Sequence, residues 1–541
     1  MLFDSIFLLG GVASVSAAAL DRRLTLNAYA PTVAVCPTTA LVRPATGISS
    51  SEHTYITTRK AKADTSLAAW LKRTNSGFST SSLPTVGLTV SGGGLRSLLC
   101  GAGVIQGFDS RDSNVGTSGI FQSLTYQAGL SGGSWLTSSI AGNNWPTITQ
   151  LKANHWEQGF LDTLLVPAEL LSALAYDEIV NDIVAKGVAG YPPTIVDAYG
   201  RLLSYQLLDG AAGGVNVRLS GLTSLSNFTS QNVPYPIITS RGVDTFDGDC
   251  VPDANATQYE FHPYEFGSWD AGVSAFTQTA YLGSKLTNGS PNVIGVCTKN
   301  YDNLGYVMGT SSDIFNAVCS IIPAQNNTNS LAQTLEGIVD KSHTPATRDL
   351  YGVYPNPFYG YSRSSHVSAQ KELDLTDGGE AGQNNPIWPF IQSARSVDVL
   401  IVNDNSADTT DLFPNGTEIL TTYEQAQAQG LTKMPFIPSV ATFVSEGLNK
   451  RATFFGCNDD SVVTIVYLPN VNYTYASNTS TDKIQYSKAD TDGIIANGVS
   501  IADQNGDSEW PTCLACAIMQ KTGSTLPSDC TACFDKYCYA Q

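Results

Sequence analysis

The chain has 541 residues, 42% of them hydrophobic and 14% charged, enough to bury a large core. Its 29 Lys and Arg stand against 47 Asp and Glu, a formal net charge of −18, and no basic run occurs anywhere. That balance excludes nucleic acid as a partner, because phosphate neutralisation needs clustered cations, and argues against strong attraction to anionic membranes near neutral pH; zwitterionic or neutral substrates fit better.

In chain order, residues 1–19 form a short apolar stretch ending in small residues, as in a secretory signal peptide. Asp4 and the lack of Lys or Arg before it leave a buried helix as the competing reading. Residues 20–35, with a dibasic Arg22-Arg23, read as an unstructured lead-in. Leu67–Lys72 has a short helical pattern. The apolar run Val86–Val90 predicts a buried strand, followed by Ser91-Gly-Gly-Gly-Leu-Arg96 and a helix through Leu98-Leu99. Leu161–Val184 reads as helix broken near Pro167. Val397–Val402 and Val462–Leu468 are almost fully apolar, as strands in the middle of a sheet are. Strands alternating with helices predict an α/β fold, taken as one domain over 36–541. No later apolar run is long enough to span a bilayer. The C-terminus has no hydrophobic tail, so no glycolipid anchor is expected.

Seven N-x-S/T sequons occur, at Asn227, Asn255, Asn288, Asn326, Asn415, Asn472 and Asn478, all after residue 220. With the apparent signal they predict a secreted glycoprotein, although Pro291 weakens Asn288. Of the 11 cysteines, Cys513-x2-Cys516 and Cys530-x2-Cys533 have zinc-site spacing, but an oxidising compartment favours disulfides. Cys100, in an apolar segment, is expected buried and free, which leaves ten cysteines for five bridges of undetermined connectivity.

Two segments carry the chemistry. Gly129-Leu-Ser131-Gly-Gly-Ser-Trp135 fits the G-x-S-x-G elbow that exposes a serine nucleophile. Upstream, the amides of Gly93 and Gly94 could face a developing oxyanion, since a glycine run brings backbone N–H groups close to a ligand. The loop is not a nucleotide turn, having neither the third glycine of the dinucleotide fingerprint nor a P-loop Lys-Ser/Thr. Arg96 places a forked cation beside it, suited to phosphate or carboxylate. A base is needed, and only His53, His155, His262, His343 and His366 exist, none in the last 175 residues. An α/β-hydrolase histidine comes late in the chain, so that reading is strained. Asp377, in Asp374-Leu-Thr-Asp377-Gly-Gly, is the better base, with a simple tight turn as its alternative.

These motifs, SGGGLR, GLSGGSW and DGG…NNP, resemble the fungal lysophospholipase/phospholipase B family, which is related to the catalytic domain of cytosolic phospholipase A2. Cys36-Pro37 with Arg43-Pro-Ala45, Glu260–Trp269, Tyr354–Phe358 and Trp510–Cys516 support the likeness, which covers nearly everything after residue 35. The chain departs at Leu95, where an aromatic is usual, and at Cys100. The resemblance implies a large three-layer α/β domain around a central mixed sheet, like the cytosolic phospholipase A2 and patatin-like fold. It implies a Ser131–Asp377 dyad without histidine, Gly93 and Gly94 as oxyanion hole, and Arg96 on lipid phosphate. It implies no metal and no cofactor, (lyso)phospholipid substrates and transient contact with a lipid interface. A Ser-His-Asp esterase and a catalytically inactive surface glycoprotein are the alternatives. The aromatic run Tyr351–Tyr361 reads as a packed loop in preference to a lipid contact.

Overall fold

The computed structural model describes residues 27–161, 172–316 and 350–540. The candidate signal peptide, Asn326 and His343 lie outside these residues.

A twelve-stranded mixed sheet organises the chain. Its strands are β1 (Val42–Pro44), β2 (Val86–Val90), β3 (Tyr126–Gly129), β4 (Tyr235–Val243), β5 (Gln258–Phe261), β6 (Glu265–Ser268), β7 (Ala275–Gln278), β8 (Gly352–Pro355), β9 (Glu372–Thr376), β10 (Val399–Asp404), β11 (Thr453–Phe455) and β12 (Thr464–Pro469). The order is β11-β12-β10-β2-β3-β4-β5-β6-β7-β1, with β9 also on β4 and β8 on β9. From β12 to β4 neighbours are parallel; from β4 to β1 they are antiparallel. β2, β10 and β12 are buried at every position, which is why apolar residues dominate them without alternation, as in Val399–Val402 and Ile465–Leu468.

Six helices matter below: α1 (Ser50–Thr74), α2 (Gly94–Phe108), α3 (Gly132–Gly142), α4 (Ile195–Leu207), α5 (Leu304–Ser311) and α6 (Lys488–Ala502). α1 is far longer than the Leu67–Lys72 pattern suggests, because only one stripe of it (Tyr55, Ala63, Leu67, Trp70, Leu71) is buried. Two more, α7 (Trp510–Met519) and α8 (Asp529–Tyr537), carry the paired cysteines, cross-linked as Cys513–Cys533 and Cys516–Cys530. Each C-x2-C puts both thiols on one helix face, and the facing helices make two rungs. Cys36–Cys297 and Cys457–Cys538 are also bridged, Cys250 is disulfide-bonded, and Cys100 is free and buried. Tyr351, Tyr354 and Phe358 are buried, so that aromatic run is packed.

The lead-in is not wholly without structure. Thr32–Val35 forms a strand antiparallel to Val296–Lys299. Its partner lies more than 250 residues away, so local sequence carries no sign of the pairing.

Candidate active site

β2 delivers the glycine turn and β3 delivers Ser131. β2 ends at Val90, and the chain turns through Gly93 (φ 136°) and Gly94 (φ 59°), conformations that L side chains resist. Gly92 is needed for space: a Cβ there would stand 2.2 Å from Asn384 Oδ1 and 2.9 Å from the Ser131 Cβ. The Gly92 N–H donates to Asn384, at 3.0 Å to Oδ1 and 3.2 Å to the carbonyl oxygen. The Gly93 and Gly94 amides open α2, where no preceding turn supplies acceptors and no side chain caps the helix.

Ser131 lies between β3 and α3 with φ 52° and ψ −123°, a conformation that costs a non-glycine residue about 1–3 kcal/mol. The surroundings impose it. A Cβ on Gly132 would meet the Gly94 carbonyl oxygen at 2.1 Å, and one on Gly133 the Val90 carbonyl oxygen at 2.2 Å, so the first turn of α3 sits directly on the glycine turn. The Ser131 N–H donates to the Ser311 carbonyl and to its Oγ, each at 3.1 Å, and Ser311 Oγ donates to the Thr239 carbonyl at 2.7 Å.

Asp377 arrives from the opposite direction. β3 pairs with the first half of β4, ending with Gly129 opposite Ile238; β9 pairs antiparallel with the second half, ending with Thr376 opposite Arg241. The two strands therefore point at each other along β4, and the residues just past their ends converge. The Ser131 hydroxyl is within hydrogen-bonding reach of the Asp377 carboxylate. Asp377 Oδ1 also accepts the Gly379 N–H at 2.8 Å, and the Asp377 N–H donates to the Asp313 carbonyl at 3.0 Å. Ser131 is 6% and Asp377 5% exposed. Burial pushes the Asp377 carboxyl up to about 6 against the two hydrogen bonds, which lower it.

Arg96 lies in the first turn of α2, beside Gly93, and is 1% exposed. Its Nε donates to the Asn405 carbonyl at 2.9 Å, Nη2 to Thr481 Oγ1 at 3.1 Å and Nη1 to the Thr479 carbonyl. The guanidinium thus ties the 479–481 loop over the glycine turn. Buried carboxyls surround this region. Burial, with Asp404 nearby, pushes Asp408 up to about 7. Burial, with Asp408 nearby, pushes Glu418 up to about 8. Burial also pushes Glu380 up to about 7, while its Oε2 accepts from Asn316 at 2.6 Å and Thr376 at 3.0 Å.

The sequence from 86 to 541 matches the lysophospholipase catalytic domain family. The chain is 37% identical to lysophospholipase 2 of Aspergillus fumigatus, over 95% of this chain and 93% of that one. It is 37% identical to a Penicillium chrysogenum lysophospholipase, over 95% and 90%, and 36% identical to a probable lysophospholipase 3 of Schizosaccharomyces pombe, over 97% and 84%. The chain belongs to the lysophospholipase family. It is accordingly a hydrolase of lipid metabolism. Among solved structures it resembles human GIVD cytosolic phospholipase A2 in fold, with a TM-score of 0.67 at 16% identity, over 91% of this chain and 72% of that one. The same human protein has been solved with methyl γ-linolenyl fluorophosphonate.

In this family member the residues singled out from sequence, Ser131, Asp377, Gly93, Gly94 and Arg96, come together at one end of the parallel strands. Four of the five histidines are described, and their partners lie elsewhere. His262 Nδ1 pairs with the Tyr235 hydroxyl at 2.6 Å, at the opposite end of β4, beside the buried Arg395–Glu52–Glu260 ion cluster. His366 pairs with Asp244, while His53 lies on α1 and His155 in the 152–156 turn. Sequence reasoning missed Ser311, Asp313 and Glu380 as supports of the site, since nothing local marks them. Asn384 stood in the NNP motif without a role; its amide oxygen at the glycine turn supplies one. Among the sequons, Asn255, Asn288 and Asn472 are exposed. Asn227, Asn415 and Asn478 are half-buried, with Asn227 and Asn478 donating to backbone carbonyls. No helix among the described residues is long and apolar enough to cross a membrane.

Proposed function

We propose that the chain is a secreted, glycosylated lysophospholipase with phospholipase B activity that works through a Ser131–Asp377 dyad. The observation that carries this reading is the Ser131 hydroxyl held within reach of a buried carboxylate in a strained turn at a helix N-terminus. Ser131 Oγ attacks the acyl carbonyl carbon while Asp377 takes its proton. The Gly93 and Gly94 amides receive the negative charge that develops on the carbonyl oxygen. The tetrahedral species collapses, the ester C–O bond breaks, and Asp377 returns the proton to the glycerol oxygen. Water then attacks the acyl-enzyme with Asp377 again as base, releasing the fatty acid and restoring Ser131. A carboxylate with a pKa near 6 is suited to both directions of that transfer.

Arg96 is assigned to the lipid phosphate. Among the described residues its three protein contacts leave one N–H on each terminal nitrogen unused, with Nη2 beside Gly93. Secretion and glycosylation are supported by the N-terminal apolar segment, the sequons and the disulfides. The test is hydrolysis of lysophosphatidylcholine by the purified chain, with labelling by a fluorophosphonate. Ser131→Ala and Asp377→Asn are each expected to fold normally and to lose roughly a thousandfold or more in rate, and Ser131→Ala to lose labelling. Persistent labelling of Ser131→Ala would assign the nucleophile to another serine.

A further inference from the structure

The ribbon formed by Thr32–Val35 and Val296–Lys299 has its polarity reversed. Its inward face carries Ala34 and Cys297, and the Cys36–Cys297 disulfide cross-links its two strands to each other. Its outward face carries Val33 and Val35, 81% and 82% exposed, with Val296, paired to Val35, at 43%. The turn leading into the second strand adds Val293 at 62% and Ile294 at 97% exposed. Turn tips favour Gly, Asn, Asp and Ser, and outward strand faces favour polar residues. Five aliphatic side chains held in water on a cross-linked scaffold mark a contact surface, not a folding remnant.

The charge around the ribbon identifies what it touches. Residues 24–51 and 271–301 contain no Asp or Glu, although the chain has 47. They do contain Lys285 and Lys299, whose ammonium groups lie over the rings of Tyr191 and Tyr281 (5.5 and 5.1 Å) and, among the described residues, form no ion pair. A strongly acidic protein has thus kept an apolar tip whose own two segments carry lysines and no carboxylate. Beside it opens a cavity of about 320 Å³ walled by Tyr191, Leu286, Tyr301 and Tyr359, with Lys285, Lys371 and Glu372 at its polar edge, an apolar wall with a charged rim that suits an amphiphile with a zwitterionic headgroup. Tyr191 joins cavity and ribbon through a 2.8 Å hydrogen bond to Thr298. Five side chains are too few for a stable dimer, which buries about 800 Å² per partner. They are enough for shallow insertion among acyl chains, with lysines at headgroup level.

We propose that this ribbon is the element that docks the protein on phospholipid surfaces: Val33, Val35, Val293, Ile294 and Val296 enter the acyl boundary and Lys285 and Lys299 meet lipid phosphate. The proposal rests on the phospholipid reading above. The test is co-sedimentation of the full chain with phosphatidylcholine vesicles, with and without phosphatidylglycerol. The variant combines Val33→Ser, Val35→Ser and Ile294→Asp, with p-nitrophenyl butyrate hydrolysis as a check on the catalytic machinery. The variant should bind vesicles about tenfold or more weakly, with its soluble-ester rate unchanged. Equal vesicle binding by variant and wild type overturns the proposal, as does a wild type that ignores vesicles. A variant that loses only self-association in sedimentation assigns the surface to a second copy and likewise overturns it. If wild-type protein binds vesicles through the ribbon yet cleaves no phospholipid, the surface stands and the catalytic reading falls.

Discussion

Gly129 and Thr376 end two strands that face each other along one edge of β4, Gly129 opposite Ile238 and Thr376 opposite Arg241. Only Thr239 and Ser240 of β4 separate those registers, and Ser311 fills the gap, donating to Thr239 and accepting from Ser131. The elbow and the Asp377 turn are thereby fixed by sheet pairing and not by a flexible loop. Such placement meets the tolerance that nucleophile and base require of each other.

Activity and stability should respond to pH in opposite directions. Asp377 must be ionised to accept the serine proton, so kcat/KM should fall tenfold per unit as pH drops below about 6. Glu418 and Glu380 are held protonated in the fold up to about 8 and about 7, whereas in the unfolded chain they ionise near the ordinary value of 4.5. Between those limits the native state binds more protons, so stability declines as pH rises. Thermal unfolding from pH 4.5 to 8 should show a falling Tm, and Glu418→Gln should flatten that slope. A Tm that rises over this range would contradict the burial of these carboxyls.

Arg96→Lys separates two roles of one side chain. A phosphate contact predicts a larger loss on lysophosphatidylcholine than on p-nitrophenyl butyrate, because lysine cannot reproduce a fork. Equal losses on both substrates would show that Arg96 acts only by tying the 479–481 loop to the glycine turn through Thr479 and Thr481.

The α7–α8 hairpin should be sensitive to reductant and indifferent to chelator. Cys513–Cys533 and Cys516–Cys530 close loops of 20 and 14 residues, each contributing roughly 3 kcal/mol by chain-entropy arguments. Denaturant unfolding with and without reductant measures the loss. Stoichiometric zinc in the purified protein would reverse the assignment.

Single replacement of His53, His155, His262, His343 and His366 by Gln should leave substantial activity. His262→Gln is the variant expected to lose stability, since its ring packs in the core, bonds Tyr235 and lies 4.0 Å from Glu52. Burial, with Arg395 and Arg43 near it, holds that imidazole well below its usual pKa and so neutral. A well-folded His→Gln variant that loses about a thousandfold in rate would replace the dyad with a triad.

The sequence by itself determined the α/β class, the buried strands β2, β10 and β12 and the free Cys100, and it singled out Ser131, Asp377, Gly93, Gly94 and Arg96 as candidates for the site. Those features are local: continuous apolar runs mark strands buried on both faces, and glycine-rich turns mark close backbone approach. Only the tertiary structure decided how these parts meet. That Ser131 and Asp377, nearly 250 residues apart, share one edge of β4 follows from strand register, which no local pattern encodes. The cysteine pairing, the engagement of Arg96 with the 479–481 loop and the support from Ser311 and Asn384 are of the same kind. So is the ribbon at Thr32–Val35: an apolar T-V-A-V run reads alike whether its valines face a core or water, and only the position of the partner strand turned them outward.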